Sequence, residues 1–327
     1  MEADQTPKRL LLAGPRGFCA GVDRAVSTVE LALRTCGAPV YVRRQIVHNS
    51  HVVNRLAAGG AVFVEELSEV PPGAVVVFSA HGVAPDVRRT AAERNLSIID
   101  ATCPLVTKVH AEAHVYFRRG LSVLFIGHAG HDEVTGVLGE LPGVIKLVGS
   151  VGDAEAVQVP DPDRVAVLMQ TTLSLDDSGE ILAALRRRFP LLVVPKVDDI
   201  CYATQNRQRA VRAIAARSDL VIVLGSHNSS NAHRLCEVAE SAGAATRLVD
   251  DIDSVELSLL AESRTAGLTA SASTPEWIVQ EAIAKLAAHG FREIEEVVVA
   301  TEEVSFAPPH GVDPCFLPIG EVRSVAG

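Results

Sequence analysis

At 327 residues the chain is longer than one hydrophobic core usually serves, so division into smaller units is expected. It is 48% hydrophobic but only 4% aromatic, which leaves Ala, Val and Leu to build the cores. A net charge of −10 with scattered basic residues excludes the cationic stripe of a nucleic-acid binder, and no apolar run reaches the roughly eighteen residues of a membrane helix. Met1 to Lys8 carries charges and no apolar core, so it does not read as a secretory signal. The expected location is the cytoplasm, where the six cysteines are reduced or metal-bound rather than paired.

Leu10 to Ala13 is an apolar strand that enters a turn built from Gly14, Pro15 and Gly17, and Cys19 follows. Val22, Val26, Val29, Leu33 and Cys36 then fall on one helical stripe that stops at Gly37. Cys19 thus sits between the carboxyl end of a strand and the amino end of a helix. Ligands of open parallel sheets bind there, and the helix end favours a thiolate. Alone, such a cysteine could equally be a small buried hydrophobe. Strands at Val40 to Val42 and Val75 to Phe78 follow, then a strand at Leu96 to Asp100 and a second cysteine, Cys103. Pro104 suits the first turn of the next helix, which runs through Val106, Val109, His110, Ala113 and Phe117. Strands at Val123 to Ile126, Val165 to Met169 and Leu191 to Val194 lead to Cys201 and a helix through Val211, Ile214 and Ala215. Leu220 to Leu224 and a strand around Leu268 come next, then a helix from Trp277 to His289 and a last strand at Glu295 to Ala300.

The three cysteines mark a repeat. His48 lies 29 residues after Cys19, His131 lies 28 after Cys103, and Ser229 lies 28 after Cys201, each in a polar loop after a strand. A second polar strand end follows in every copy: Ser79-Ala80-His81, Gln170-Thr171-Thr172 and Ser271-Ala272-Ser273. Three α/β units with parallel sheets are expected at 1–102, 103–200 and 201–290, arranged with pseudo-threefold symmetry. A tail at 291–327 is expected to pack back on them.

Three spread cysteines without a C-x-x-C pair argue against a zinc finger and against a thioredoxin-like dithiol. They suit an iron–sulfur cluster with one iron lacking a protein ligand, open to bind a substrate oxygen. Cys36, Cys236 and Cys315 are assigned structural roles. The loop Gly225-Ser226-His227-Asn228-Ser229-Ser230-Asn231 offers hydroxyls, amides and backbone N–H groups, good phosphate ligands at a strand-to-helix junction. Ordinary helix capping would use the same residue types. Glu133 is the carboxylate embedded in these loops and a candidate general acid. A non-redox iron–sulfur hydro-lyase and a non-catalytic cluster carrier or sensor are the alternatives these residues leave open.

Pro15-Arg16-Gly17-Phe18-Cys19-Ala20-Gly21-Val22, Asp100-Ala101-Thr102-Cys103-Pro104-Leu105-Val106, Asp198-Asp199-Ile200-Cys201-Tyr202-Ala203-Thr204 and Asn228-Ser229-Ser230-Asn231 resemble the 4-hydroxy-3-methylbut-2-enyl diphosphate reductase family. That family catalyses the last step of the methylerythritol phosphate route to isoprenoids. The likeness runs from about Leu10 to Pro275 and includes Gly127-His128-Ala129-Gly130-His131, Glu133 and Gln170-Thr171-Thr172-Leu173-Ser174. It implies a trefoil of three α/β domains around a central 4Fe–4S cluster ligated by Cys19, Cys103 and Cys201. His48, His81, His131, Ser229, Ser230, Asn231 and Ser273 would hold the diphosphate. Thr171 and Glu133 would surround the substrate hydroxyl, with Glu133 as proton source, His131 beside it, and ferredoxin or flavodoxin as electron donor. The implied reaction is reductive dehydroxylation to isopentenyl and dimethylallyl diphosphates. The chain departs from the family at Ser271, where Gly is expected and a side chain could narrow the diphosphate pocket, and at Asp132, where Pro is expected.

Overall fold

The computed structural model describes residues 7–309 and 312. The chain begins with β1 (Lys8–Gly14) and α1 (Ala20–Cys36), then β2 (Val40–Arg43), α2 (Ser50–Ala58), β3 (Ala61–Val64), β4 (Val75–Phe78), α3 (Pro85–Glu93) and β5 (Ser97–Asp100). The middle third holds α4 (Pro104–Arg118), β6 (Ser122–Ile126), α5 (Asp132–Glu140), β7 (Lys146–Val148), α6 (Val151–Ala156), β8 (Val165–Met169) and α7 (Leu175–Arg188). It closes with α8 (Tyr202–Ala215), β9 (Leu220–Leu224), α9 (Ser230–Ser241), β10 (Ala245–Val249), α10 (Leu257–Glu262), β11 (Thr265–Ala270), α11 (Glu276–Ala288) and β12 (Phe291–Val298).

The strands form three wholly parallel sheets, ordered β3-β2-β4-β5, β7-β6-β8 and β10-β9-β11-β1-β12. Short Val-rich strands covered on both faces account for the parallel pairing. β9 is buried along its whole length, and separate apolar clusters pack on its two faces.

Three sequence expectations change. β1 leaves the unit expected at 1–102 and lies in the third sheet between β11 and β12. Leu10, Leu11 and Ala13 are fully buried, so this strand needs cover on both faces and neighbours on both edges. Burying each leucine favours the fold by about 1.5–3 kcal/mol over leaving it exposed. The segment Leu191 to Val194 makes a single parallel bridge, Ala166 to Val193, and is not a full strand. Leu191 stays 63% exposed, so only part of the apolar run is drawn inward. The last strand begins at Phe291 rather than Glu295 and pairs with β1, placing the start of the expected tail inside the third sheet.

Together these changes reveal a rule. β1 belongs to the third sheet and leads through Cys19 to the first; β5 belongs to the first and leads through Cys103 to the second. The Val193 segment touches the second sheet and leads through Cys201 to the third. Each cysteine therefore stands where the chain passes from one sheet to the next. Among the described residues, no helix is long and apolar enough to cross a membrane.

Candidate active site

Cys19, Cys103 and Cys201 are the N-cap residues of α1, α4 and α8. Each is fixed by one backbone hydrogen bond to the end of the sheet it has just left. Cys19 N–H donates to Ala272 O at 3.3 Å, Cys103 N–H to Ala80 O at 3.0 Å, and Cys201 N–H to Thr171 O at 3.1 Å. The acceptors are the middle residues of the three polar strand ends, so the repeat read in the sequence is physically a repeated hydrogen bond. The thiols are free and border a common cavity of about 100 Å³. A Cβ on Gly21 would lie 2.6 Å from Cys103 Sγ and 3.9 Å from Cys19 Sγ, so any side chain where α1 passes the sulfurs would displace the Cys103 thiol.

Their proton affinities bear on what the thiols hold. Burial, opposed by helix-end N–H groups, pushes Cys103 up to about 12, and burial with the neighbouring thiol pushes Cys201 up to about 11. Ionised sulfur becomes favourable at these positions only when a positively charged group arrives with it. Of the other cysteines, Cys36 is exposed at the end of α1, where the buried face runs through Ala25, Val29 and Ala32. Cys236 packs against the third-sheet core, and Cys315 lies outside the described residues.

The other walls bring together the residues that the resemblance assigns to the substrate and its protonation, His48, His81, His131, Glu133, Thr171, Ser229, Ser230, Asn231 and Ser273, while Ser226, His227 and Asn228 of the third polar loop stay outside the lining. Glu133 lies in the first turn of α5 and is 1% exposed. Its Oε1 accepts from Thr171 N–H at 2.7 Å and its Oε2 from Thr171 Oγ1 at 2.8 Å. Burial raises its proton affinity to about pKa 7 against the opposing effect of the two Thr171 bonds. The charge of Asp199 adds to the rise. Asp199, itself buried, accepts from Lys108 Nζ at 2.8 Å and Met169 N–H at 2.9 Å.

His131 caps α5, its Nδ1 accepting from Glu133 N–H at 3.1 Å, so the neutral ring carries its proton on Nε2. His48 and His81 stack at 4.2 Å, and His131 meets both edge-on at 5.7 and 5.8 Å. Burial lowers the proton affinity of all three, His131 to about pKa 4. An arriving anion would reverse that shift. His48, His81 and Asp132 also lie within metal-ligand range of one another. The two rings are within 20° of parallel, so their in-plane lone pairs do not converge on one ion, and the Arg44 guanidinium already pairs with Asp132.

On the third-lobe side, Ser229 caps α9, Ser230 Oγ accepts from Thr172 at 3.2 Å, and Ser273 Oγ donates to His48 O at 2.8 Å. Asn231 Oδ1 accepts from Ala272 N–H at 3.0 Å, while its buried Nδ2 has no partner among the described residues. An amide donor left without an acceptor at a cavity wall is free to meet an oxygen of whatever occupies the cavity. The ends of α5 and α9 add partial positive charge without any Lys or Arg in the lining.

Of the two departures, Ser271 is fully buried and outside the cavity lining. Its hydroxyl bonds Thr274 Oγ1 at 2.9 Å and Ser273 Oγ at 3.2 Å, and it packs over Gly225, where a Cβ would meet it at 2.9 Å. It therefore backs the pocket and does not narrow it. Asp132 also lies outside the lining and faces Arg44 at the end of β2. Sequence reasoning missed Gln45, which accepts from Asn228 Nδ2 at 2.7 Å beside His48, and Arg207, the largest fully buried side chain. Neither stands in a repeated position. A helical arginine ordinarily reads as a solvated face.

A sequence model described as LytB protein matches residues 10–287. The chain is 57% identical over 310 residues to the 4-hydroxy-3-methylbut-2-enyl diphosphate reductase of Acidothermus cellulolyticus, covering 94% of this chain and 91% of that protein. It is 56% identical over 310 residues to the enzyme of the same name from Mycobacterium ulcerans, covering 94% and 93%. The solved E-1-hydroxy-2-methyl-but-2-enyl-4-diphosphate reductase of Plasmodium falciparum superposes with a TM-score of 0.91 at 36% identity, covering 94% of this chain and 97% of that one. A second solved structure, titled (E)-4-hydroxy-3-methyl-but-2-enyl diphosphate reductase, the terminal enzyme of the non-mevalonate pathway, gives a TM-score of 0.61 at 30% identity, covering 86% and 99%.

Proposed function

The chain belongs to the LytB protein family of 4-hydroxy-3-methylbut-2-enyl diphosphate reductases, and from that membership we propose how its own residues divide the reaction. As a member it is an oxidoreductase of isoprenoid biosynthesis that carries an iron–sulfur cofactor and acts on a small diphosphate. In our reading Cys19, Cys103 and Cys201 hold a 4Fe–4S cluster and leave one iron without a protein ligand. The free thiols, their convergence on one cavity and the Gly21 cradle support that fit. When bound, the cluster supplies electrons and a Lewis-acidic iron.

The reaction takes (E)-4-hydroxy-3-methylbut-2-enyl diphosphate, two electrons and two protons. The C–O bond to the hydroxyl breaks, the oxygen leaves as water with one proton, and the second proton forms a C–H bond on the allyl fragment. Isopentenyl or dimethylallyl diphosphate results. Asn231 Nδ2, the hydroxyls of Ser229, Ser230 and Ser273, and the imidazoles of His48, His81 and His131 bind the diphosphate. This places the reacting end between Thr171 and the cysteines. Glu133 holds a proton near neutral pH because burial disfavours its charge, and Thr171 keeps the carboxyl aimed. Ferredoxin or flavodoxin donates the electrons.

The observation that carries this reading is the convergence of three thiols, a buried protonatable carboxyl and an unpartnered amide donor on one cavity. Anaerobically purified protein assayed with and without a reductant tests it. Turnover that depends on reductant is expected. Equal turnover without reductant would indicate a hydro-lyase, and no turnover with cluster transfer to acceptor proteins would indicate a carrier.

A further inference from the structure

The segment after β12 runs back against α8 and α1, and two arginines on those helices carry its contacts on to the cysteine-bearing loops. Arg207, on the helix that Cys201 opens, has a side chain with no exposed surface. Its Nε and Nη2 donate to Gly17 O at 3.0 and 2.7 Å, and Nη2 also donates to Phe18 O at 3.1 Å. These are the two carbonyls that precede Cys19. The Phe18–Cys19 peptide is thus held at both ends, its oxygen by Arg207 and its N–H by Ala272 O. Glu302 is the carboxylate ion-paired with Arg207, at 3.0 Å, and it also accepts from Asn206 Nδ2 at 3.1 Å. Farther on, Arg24 of α1 donates to Ala307 O at 2.7 Å and to Thr102 O, just before Cys103, at 3.0 Å. Val312 is 2% exposed within the first-sheet core.

We propose that Glu302, acting through Arg207, is a positioning residue for the Cys19 loop, and that the segment from Glu302 to Ala307 ties the helices behind Cys201 and Cys19, with Arg24 carrying the tie to the residue before Cys103, as a strap at the spacing the cluster requires. The inference rests on the ligand assignment made above. A buried guanidinium holds carbonyls in place only while its charge is balanced, and Glu302 supplies that balance at the end of a segment far from the cysteines in sequence. Groups that orient metal ligands from behind commonly change metal retention 10–100-fold when removed.

The test uses anaerobically purified, cluster-loaded full-length protein. Iron release to a ferrous chelator and the electron paramagnetic resonance spectrum of the reduced cluster are recorded for wild type, Glu302→Gln and Glu302→Ala. Glu295→Gln is the control, since it removes surface ion pairs with Arg9 and Arg217 within β12. The isosteric Glu302→Gln should fold and keep wild-type affinity for inorganic diphosphate, yet release iron about tenfold faster or more and show an altered spectrum. Glu295→Gln should match wild type. Wild-type release and spectrum in both Glu302 variants, with Cys103→Ser lacking iron, would overturn the strap. A fully loaded Cys103→Ser protein would instead overturn the ligand assignment.

Discussion

The cavity has two ends built from the same repeat, and they treat it differently. At the cysteine end the three copies are alike: an N-cap cysteine, a helix behind it, and one N–H bond to the preceding sheet end. At the polar end the equivalent positions diverge. The first two lobes supply imidazoles, His48 and His131, and the third supplies Ser229 with its neighbours Ser230 and Asn231. Second strand ends diverge as well, into His81, Thr171 and Ser273. A repeated frame suits a compact group gripped from three sides, whereas a substrate with an anionic head and a reactive tail needs different groups on each wall. Symmetry is kept where, in the proposed division of labour, the cofactor would be held, and given up where the substrate would be read.

That contrast predicts graded effects. The largest among the polar residues is expected at Glu133, the one buried carboxyl at the reacting end. Glu133→Gln keeps shape and hydrogen bonding but delivers no proton, so turnover should fall roughly 10²-fold or more with cluster content and substrate binding retained. The pH profile sharpens the point. As the proposed acid Glu133 would act in its protonated form, and burial raises its proton affinity to about pKa 7, so turnover with a small-molecule reductant should decline as pH rises through 7. The variant should lack that limb. A flat wild-type profile from pH 6 to 9 would place the acid elsewhere.

An intermediate effect is expected at the unpartnered amide. Asn231→Ala removes the unpartnered donor that the proposal assigns to the diphosphate and frees Ala272 N–H, so affinity for substrate should weaken by about 1–3 kcal/mol in calorimetry on cluster-loaded protein. The smallest effect is expected behind the wall. Ser271→Gly removes a buried hydroxyl that touches Ser273 and Thr274 but not the cavity. It should cost about 1 kcal/mol of stability in denaturant unfolding and leave substrate affinity unchanged. A tighter substrate complex in Ser271→Gly would mean that the hydroxymethyl does crowd the pocket.

The cysteines and polar loops were legible because they recur at near-constant offsets, which topology converts into a single cavity. What escaped has specific physical causes. β1 is apolar on both faces, and an all-apolar strand carries no mark of which neighbours it will take, so its place between β11 and β12 appears only in the pairing. Leu191 to Val194 has strand composition, yet only Val193 reaches β8. Arg207 and Glu302 lie 95 residues apart, and nothing in helical spacing distinguishes a buried arginine from a solvated one. The orphaned Asn231 Nδ2 is likewise a property of the fold, since its Oδ1 bonds a strand end 41 residues away.

The central claim, three equivalent arms around one cluster, is tested most directly by iron and sulfide analysis of anaerobically purified single variants. Cys19→Ser, Cys103→Ser and Cys201→Ser should each lose stable cluster binding, and Cys36→Ser, Cys236→Ser and Cys315→Ser should each retain it. A fully loaded protein in any of the first three, or an empty one in any of the last three, would contradict the account.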